Sequence, residues 1–163
     1  MARTSTQRSI PIWLFAIAVA LIAGRIIVSR VNRAPAATQE EGSRSLVRWV
    51  PMEQAANVAR QSGKVIMYDF TAAWCGPCHA LEDAVFSDQR LAGMINQRFV
   101  PVRVVDRQRE DGRNNAEVEA LQQRYRVRGF PTLVWADAGG EQKTRMEGFG
   151  GPEAFERTVE NLR

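Results

Sequence analysis

Cysteine is almost missing from this sequence, with only Cys75 and Cys78 among 163 residues. A scaffold held by several disulfides is therefore excluded, and the single pair is expected to be functional. Histidine occurs once, as His79. Two cysteines and one histidine fall short of the four ligands of a structural zinc site unless carboxylates help, so no metal is expected. Internal repeats and low-complexity tracts are also absent, which excludes solenoids and arrays. A basic body is missing too, despite a formal net charge of +4. Residues 1–45 hold Arg3, Arg8, Arg25, Arg30, Arg33 and Arg44 against Glu40 and Glu41. That leaves 16 Lys+Arg and 16 Asp+Glu for residues 46–163. The body is neutral, and no nucleic-acid partner is expected.

The basic N-terminal part contains one long apolar run. "IPIWLFAIAVALIAG" (10–24) has no charge, and Ile26, Ile27 and Val28 follow Arg25. From Ile10 to Ser29 is 20 residues, enough to span a bilayer as a helix. Arg25 near one end can snorkel to the interface. The alternative is a cleaved signal peptide, for which Ala18-Val19-Ala20 and Ala34-Pro35-Ala36 are candidate small-residue sites. The first lies inside the apolar run and the second well beyond it, which favours an uncleaved anchor. Arginines flank the run on both sides, so the positive-inside count does not orient it. The chain then divides into a tail (1–9), a transmembrane anchor (10–29), a flexible linker (30–45) and a globular domain (46–163).

Within that domain strand-like and helix-like segments alternate. "LVRWV" (46–50) is a short strand candidate, 53–61 a helix stopped by Gly63, and "KVIMYDF" (64–70) a buried strand. A helix is predicted from about Cys75, and Ser87 and Asp88 cap another. "FVPVRVVD" (99–106) is the next strand, "RQREDGRNN" a polar loop and 116–125 a helix. "TLVWA" (132–136), the turn "DAGG" and "QKTRM" (142–146) predict a hairpin. Pro152 to Leu162 predicts a closing helix with Phe155, Val159 and Leu162 inward. The order β-α-β-α-α-β-α-β-β-α implies an α/β fold, a mixed sheet with helices on both faces.

"WCGPCHAL" (74–81) carries the chemistry, and its spacing fits two incompatible uses. Cys75-Gly76-Pro77-Cys78 has the spacing of a redox dithiol, whereas Cys75-x-x-Cys78-His79 is also the attachment signature of a c-type haem. A redox dithiol needs an exposed, partly ionised attacking sulfur, which a helix N-terminus favours. Cys75 stands where strand becomes helix, Pro77 suits the first helical turn, and Cys78 lies one turn on. Asp69 interrupts the apolar strand six residues earlier; buried there, its raised pKa would suit proton exchange near neutrality. In "GFPT" (129–132), a cis Phe130–Pro131 bond would bend the chain and offer Phe130's backbone to an extended substrate. Haem would need His79 and a second ligand from Met52, Met67, Met94 or Met146, and no spare segment could wrap a porphyrin. A copper-handling module using Cys75, Cys78 and His79 is another alternative, and a passive binding module is a third.

The pattern D-F-x-x-x-W-C-G-P-C, followed downstream by G-F-P-T, closely resembles thioredoxin over about residues 46–163. "LEDAVFSDQRL" (81–91) is more similar to the branch that includes the C-terminal domain of the transmembrane thiol:disulfide interchange protein DsbD. The resemblance implies a thioredoxin fold, a cis Pro131, Cys75 as nucleophile, Cys78 as resolving thiol and Asp69 as proton-transfer partner. Trp74, Gly76, Pro77, Phe130 and Pro131 are then expected to form the recognition surface. His79 departs from the pattern, which more often has Lys or Arg there. Val102 stands where a Lys commonly approaches the buried Asp, and the loop 107–115 is longer than in a minimal thioredoxin. The implied protein reduces disulfides of protein substrates without a cofactor. It takes electrons from a membrane or thiol donor, and its domain faces the periplasm from the bacterial inner membrane.

Overall fold

Two apolar runs, "VIMYDFTA" and "FVPVRVVD", become the parallel pair of a four-stranded sheet in the computed structural model. The structure describes residues 45–160 and 162. The predicted tail, anchor and all of the linker except Ser45 lie outside them. Among the described residues no helix is long and apolar enough to cross a membrane.

Helix α1 (Met52–Ser62) ends at Gly63, whose φ of 68° suits a residue without Cβ and whose N–H donates to the Ala59 carbonyl. Strand β1 (Val65–Ala72) runs into α2 (Gly76–Leu81), which continues as a π-helical turn (Glu82–Phe86). Asp88 caps α3 (Gln89–Arg98) by accepting from the Leu91 N–H. Strand β2 (Phe99–Asp106), the single turn α4 (Gln108–Asp111) and α5 (Ala116–Arg124) follow. The hairpin β3 (Thr132–Ala136) and β4 (Gln142–Glu147) precedes α6 (Pro152–Glu160).

The sheet order is β2-β1-β3-β4, with β1 and β2 parallel and the other pairs antiparallel. Alternation along β1 splits the core into two faces. Met67 packs with Leu81, Val85, Phe86, Trp135 and Phe155, under α2, α3 and α6. Ile66, Tyr68 and Phe70 pack with Ala55, Val102 and Val118, under α1 and α5. Both ends of the predicted reductive machinery are thereby fixed, since β1 delivers Asp69 and the strand-to-helix junction delivers Cys75.

Three expectations change. The segment 46–50 is extended but not a strand. It is pinned by Leu46 N–H to the Phe86 carbonyl (2.7 Å) and Val50 N–H to the Pro101 carbonyl (2.8 Å). Pro101 has no N–H to return, so a ladder along that edge of β2 cannot continue. The polar loop after β2 contains α4, because Asp106, Asn114 and Gln122 tie its ends together. The last helix ends at Glu160, and Leu162 packs against the core from beyond it.

Candidate active site at the Cys75–Cys78 pair

Cys75 is the N-cap of α2, and Pro77 occupies its first turn. The two sulfurs are joined at 2.08 Å with Cα atoms 5.2 Å apart. The Cys78 N–H donates to Cys75 Sγ at 3.2 Å. Unpaired amides at a helix start stabilise negative charge, so the same contact would hold a Cys75 thiolate after reduction. Gly76 and Pro77 are exposed, whereas Cys78 is buried.

The pair is less open than the sequence predicts. Cys75 is only 3% exposed, and Phe130 packs against the cluster it forms with Cys78 and Ala72. Trp74 is 43% exposed and meets Phe130 edge-on, ring centroids 5.8 Å apart. The Phe130–Pro131 peptide bond is cis, as the resemblance implies. Thr132 Oγ1 donates to the Gly129 carbonyl, and the Gly148 N–H donates to the Pro131 carbonyl, both at 2.8 Å. Of the expected recognition surface, Trp74 and Phe130 are in contact, Gly76 and Pro77 open the neighbouring helix, and Pro131 is buried behind Phe130.

Asp69 is 2% exposed on the Met67 face of β1, the face α2 covers. Burial pushes its carboxyl up to about 6, opposed by the Arg103 guanidinium and reinforced by Glu82. Arg103 Nε lies 3.4 Å from Asp69 Oδ2, an ion-pair distance without hydrogen-bond alignment. Oδ1 of Asp69 has no hydrogen-bond partner among the described residues. A buried carboxyl titrating near neutrality with an open oxygen can hold and release a proton.

The cation beside Asp69 is a correction to the sequence expectation at Val102. Val102 pairs with Tyr68 and is buried on the opposite face of the sheet. Arg103, one residue on, stands directly across from Asp69 in the parallel register. Its guanidinium also pairs with Glu82 on the π turn and stacks over Trp49, 4.1 Å from the ring centroid. Arg103 and Glu82 were not legible as site residues, because pairing register is not written in a single strand. The one available signal was the cation in the middle of "FVPVRVVD".

His79 Nε2 lies 2.9 Å from the Ala73 carbonyl and donates to it. No three His, Cys, Asp or Glu side chains converge as a metal site among the described residues. Met67, Met94 and Met146 pack with one core cluster and Met52 with the other, none of them in contact with the cysteine cluster.

A mixed sheet with a cysteine pair capping the helix after its central strand, opposite a cis-proline loop, defines the thioredoxin fold class. The model of the thioredoxin-like domain matches residues 52–163, and the chain belongs to that family. DsbD of Yersinia enterocolitica is 32% identical over 115 residues, covering 69% of this chain and 19% of that protein. DsbD of Campylobacter jejuni is 32% identical over 98 residues, 60% of this chain and 16% of the relative. The chain therefore spans less than a fifth of these curated relatives. Among solved structures, an oxidoreductase named DsbH superposes with a TM-score of 0.62 at 25% identity, covering 83% of this chain and 99% of its own. A thioredoxin from Thermus thermophilus gives 0.60 at 27%, covering 71% and 86%.

Proposed function

We propose that the protein is a membrane-anchored thiol:disulfide oxidoreductase that reduces protein disulfides through Cys75 and Cys78. The observation that carries this reading is the linked cysteine pair at the N-terminus of α2, on the sheet face that holds a buried Asp69 titrating near 6. Reduced Cys75, as thiolate, attacks one sulfur of a substrate disulfide. A Cys75–substrate disulfide forms, and the other substrate sulfur leaves as thiolate and takes a proton. The Asp69 carboxylate then accepts the Cys78 proton. The Cys78 sulfur attacks Cys75 Sγ, expelling the second substrate thiol and closing the Cys75–Cys78 bond. Two electrons pass to the substrate, and a membrane or thiol donor must return two to the pair.

Trp74, Gly76, Pro77, Phe130 and Pro131 receive the substrate chain. The packing of Phe130 against the cysteine cluster and of Trp74 against Phe130 supports this. The apolar run 10–29 supports an anchor in a bacterial inner membrane, with the domain on the periplasmic side as the kinship to DsbD suggests. A Gly-Pro spacer, as in reducing thioredoxins, favours reductase over oxidase. The test is insulin reduction by the full chain in detergent micelles with dithiothreitol as donor. Acceleration that is abolished by Cys75→Ser is expected, and Cys78→Ser is expected to accumulate a mixed disulfide. A wild-type protein that leaves insulin disulfides no faster than dithiothreitol alone would end this reading.

A further inference from the structure

An exposed cation is linked to the cysteine pair by three successive contacts, and the chemistry above does not use it. Arg109 belongs to α4, and its guanidinium carbon stands 3.5 Å from the centroid of the Trp74 ring. Trp74 abuts Phe130, and Phe130 packs on Cys75 and Cys78. A guanidinium stacked by its face keeps its in-plane N–H donors directed outward, in the fork that matches a carboxylate. Arg109 has no hydrogen bond or ion pair among the described residues, whereas its neighbour Arg107 is held by Asp111 at 2.6 Å.

The segment that presents Arg109 is firmly built. Asp106, buried at the end of β2, accepts from Asn114 Nδ2 (2.6 Å), Gln122 Nε2 (2.8 Å) and the Gln108 N–H (3.1 Å). Gln108 Nε2 donates to the Gly112 carbonyl, and Asn114 Oδ1 accepts from the Arg107 N–H. On the chain leading into Phe130, Arg126 and Arg128 are exposed and line a hollow with Glu119. Arg126 has φ of 51°, the one positive value at a non-glycine among the described residues, so a side chain is kept where glycine would relieve strain. Against these three arginines stand Glu119, Glu110 beside Arg109 on α4, the already paired Asp111, and Asp106, whose carboxyl feels the Arg109 charge but is taken up by its three hydrogen bonds.

We propose that Arg109 is a specificity-determining residue, receiving a carboxylate of the substrate chain so that the domain prefers disulfides flanked by Asp or Glu. This rests on the oxidoreductase reading and names the substrate class of the same site. Arg126 and Arg128 add exposed positive charge on the chain segment that leads into Phe130.

The test uses the full chain in detergent micelles, pre-reduced, and two synthetic peptides each closed by one disulfide. The peptides differ only in having two Asp or two Lys beside the cysteines. The readout is the ratio of their second-order rate constants, in which any general loss of reactivity cancels. Wild type is expected to favour the Asp peptide about tenfold at low salt, with the ratio falling as salt screens the contact. Arg109→Glu is expected to turn the preference toward the Lys peptide, and Arg109→Lys to retain part of the wild-type ratio. An unchanged ratio in Arg109→Glu, or equal rates for the two peptides in wild type, overturns this inference alone. Failure of wild type to reduce either peptide overturns the oxidoreductase reading and this one with it.

Discussion

Asp69 is the most deeply buried charged side chain among the described residues, and its behaviour can be tested directly. Its carboxyl titrates near 6 in the fold and in the ordinary carboxylate range when unfolded, so the native state binds the extra proton between those values. Stability from this group is therefore highest below about pH 4, falls as pH rises through 6, and stays reduced above it. Asp69→Asn removes that cost and is expected to stabilise the oxidised protein at pH 7 by about 1–3 kcal/mol. The gain should vanish near pH 4, as urea unfolding at both pH values would show. The same variant should lose the rise in resolution rate that Asp69 ionisation gives near pH 6, followed by the decay of a trapped mixed disulfide. Arg103 and Glu82 pull the carboxyl in opposite directions. Arg103→Gln is expected to move its titration above 6 and Glu82→Gln below it, read by carboxyl NMR. Equal shifts of the same sign would contradict the charge arrangement. Asp69 itself was legible, because a lone carboxylate in "KVIMYDF" has few reasons to be buried. Its partners were not, because they depend on which β2 residue falls opposite it.

At the scale of elements, the junction of β1 and α2 sets the reactivity of Cys75. The Cys78 N–H on Cys75 Sγ and the open amides of the helix start are expected to hold the Cys75 thiol below the ordinary range of about 8.5. Iodoacetamide alkylation of the reduced protein against pH measures this directly, and an inflection at or above 8.5 would contradict it. The loop between β2 and α5 depends on Asp106 in the same local way. Asp106→Ala leaves the half-buried donors of Asn114 and Gln122 without their acceptor and is expected to cost about 1–3 kcal/mol. Amide exchange across 107–115 should accelerate with it. Strong apolar runs, glycine stops and the Asp88 cap made β1, β2, the hairpin and most helices legible before any coordinates. The single turn α4 was illegible because its order comes from tertiary hydrogen bonds to Asp106 and not from apolar periodicity. The segment 46–50 read as a strand because its pattern is apolar and β-branched, yet Pro101 denies it a continuous ladder.

At the scale of the whole molecule, the account unites a charged, apolar-run N-terminus with a neutral α/β domain that offers one cysteine pair. The fold class and the pair were legible because motif, strand and helix agreed with each other. The cover that Phe130 and Trp74 place over Cys75 was not, since it brings together residues over fifty positions apart. The direction of electron flow is set by the reduction potential of the pair against that of its donor and substrate. The equilibrium reduction potential of Cys75–Cys78 in the full chain, titrated against glutathione or dithiothreitol buffers, tests the central claim most directly. A two-electron couple near about −270 mV, as for thioredoxin, is expected, with the reductant supplied from the membrane. A couple near about −120 mV would make the protein an oxidant, and the absence of any titratable couple would contradict the account altogether.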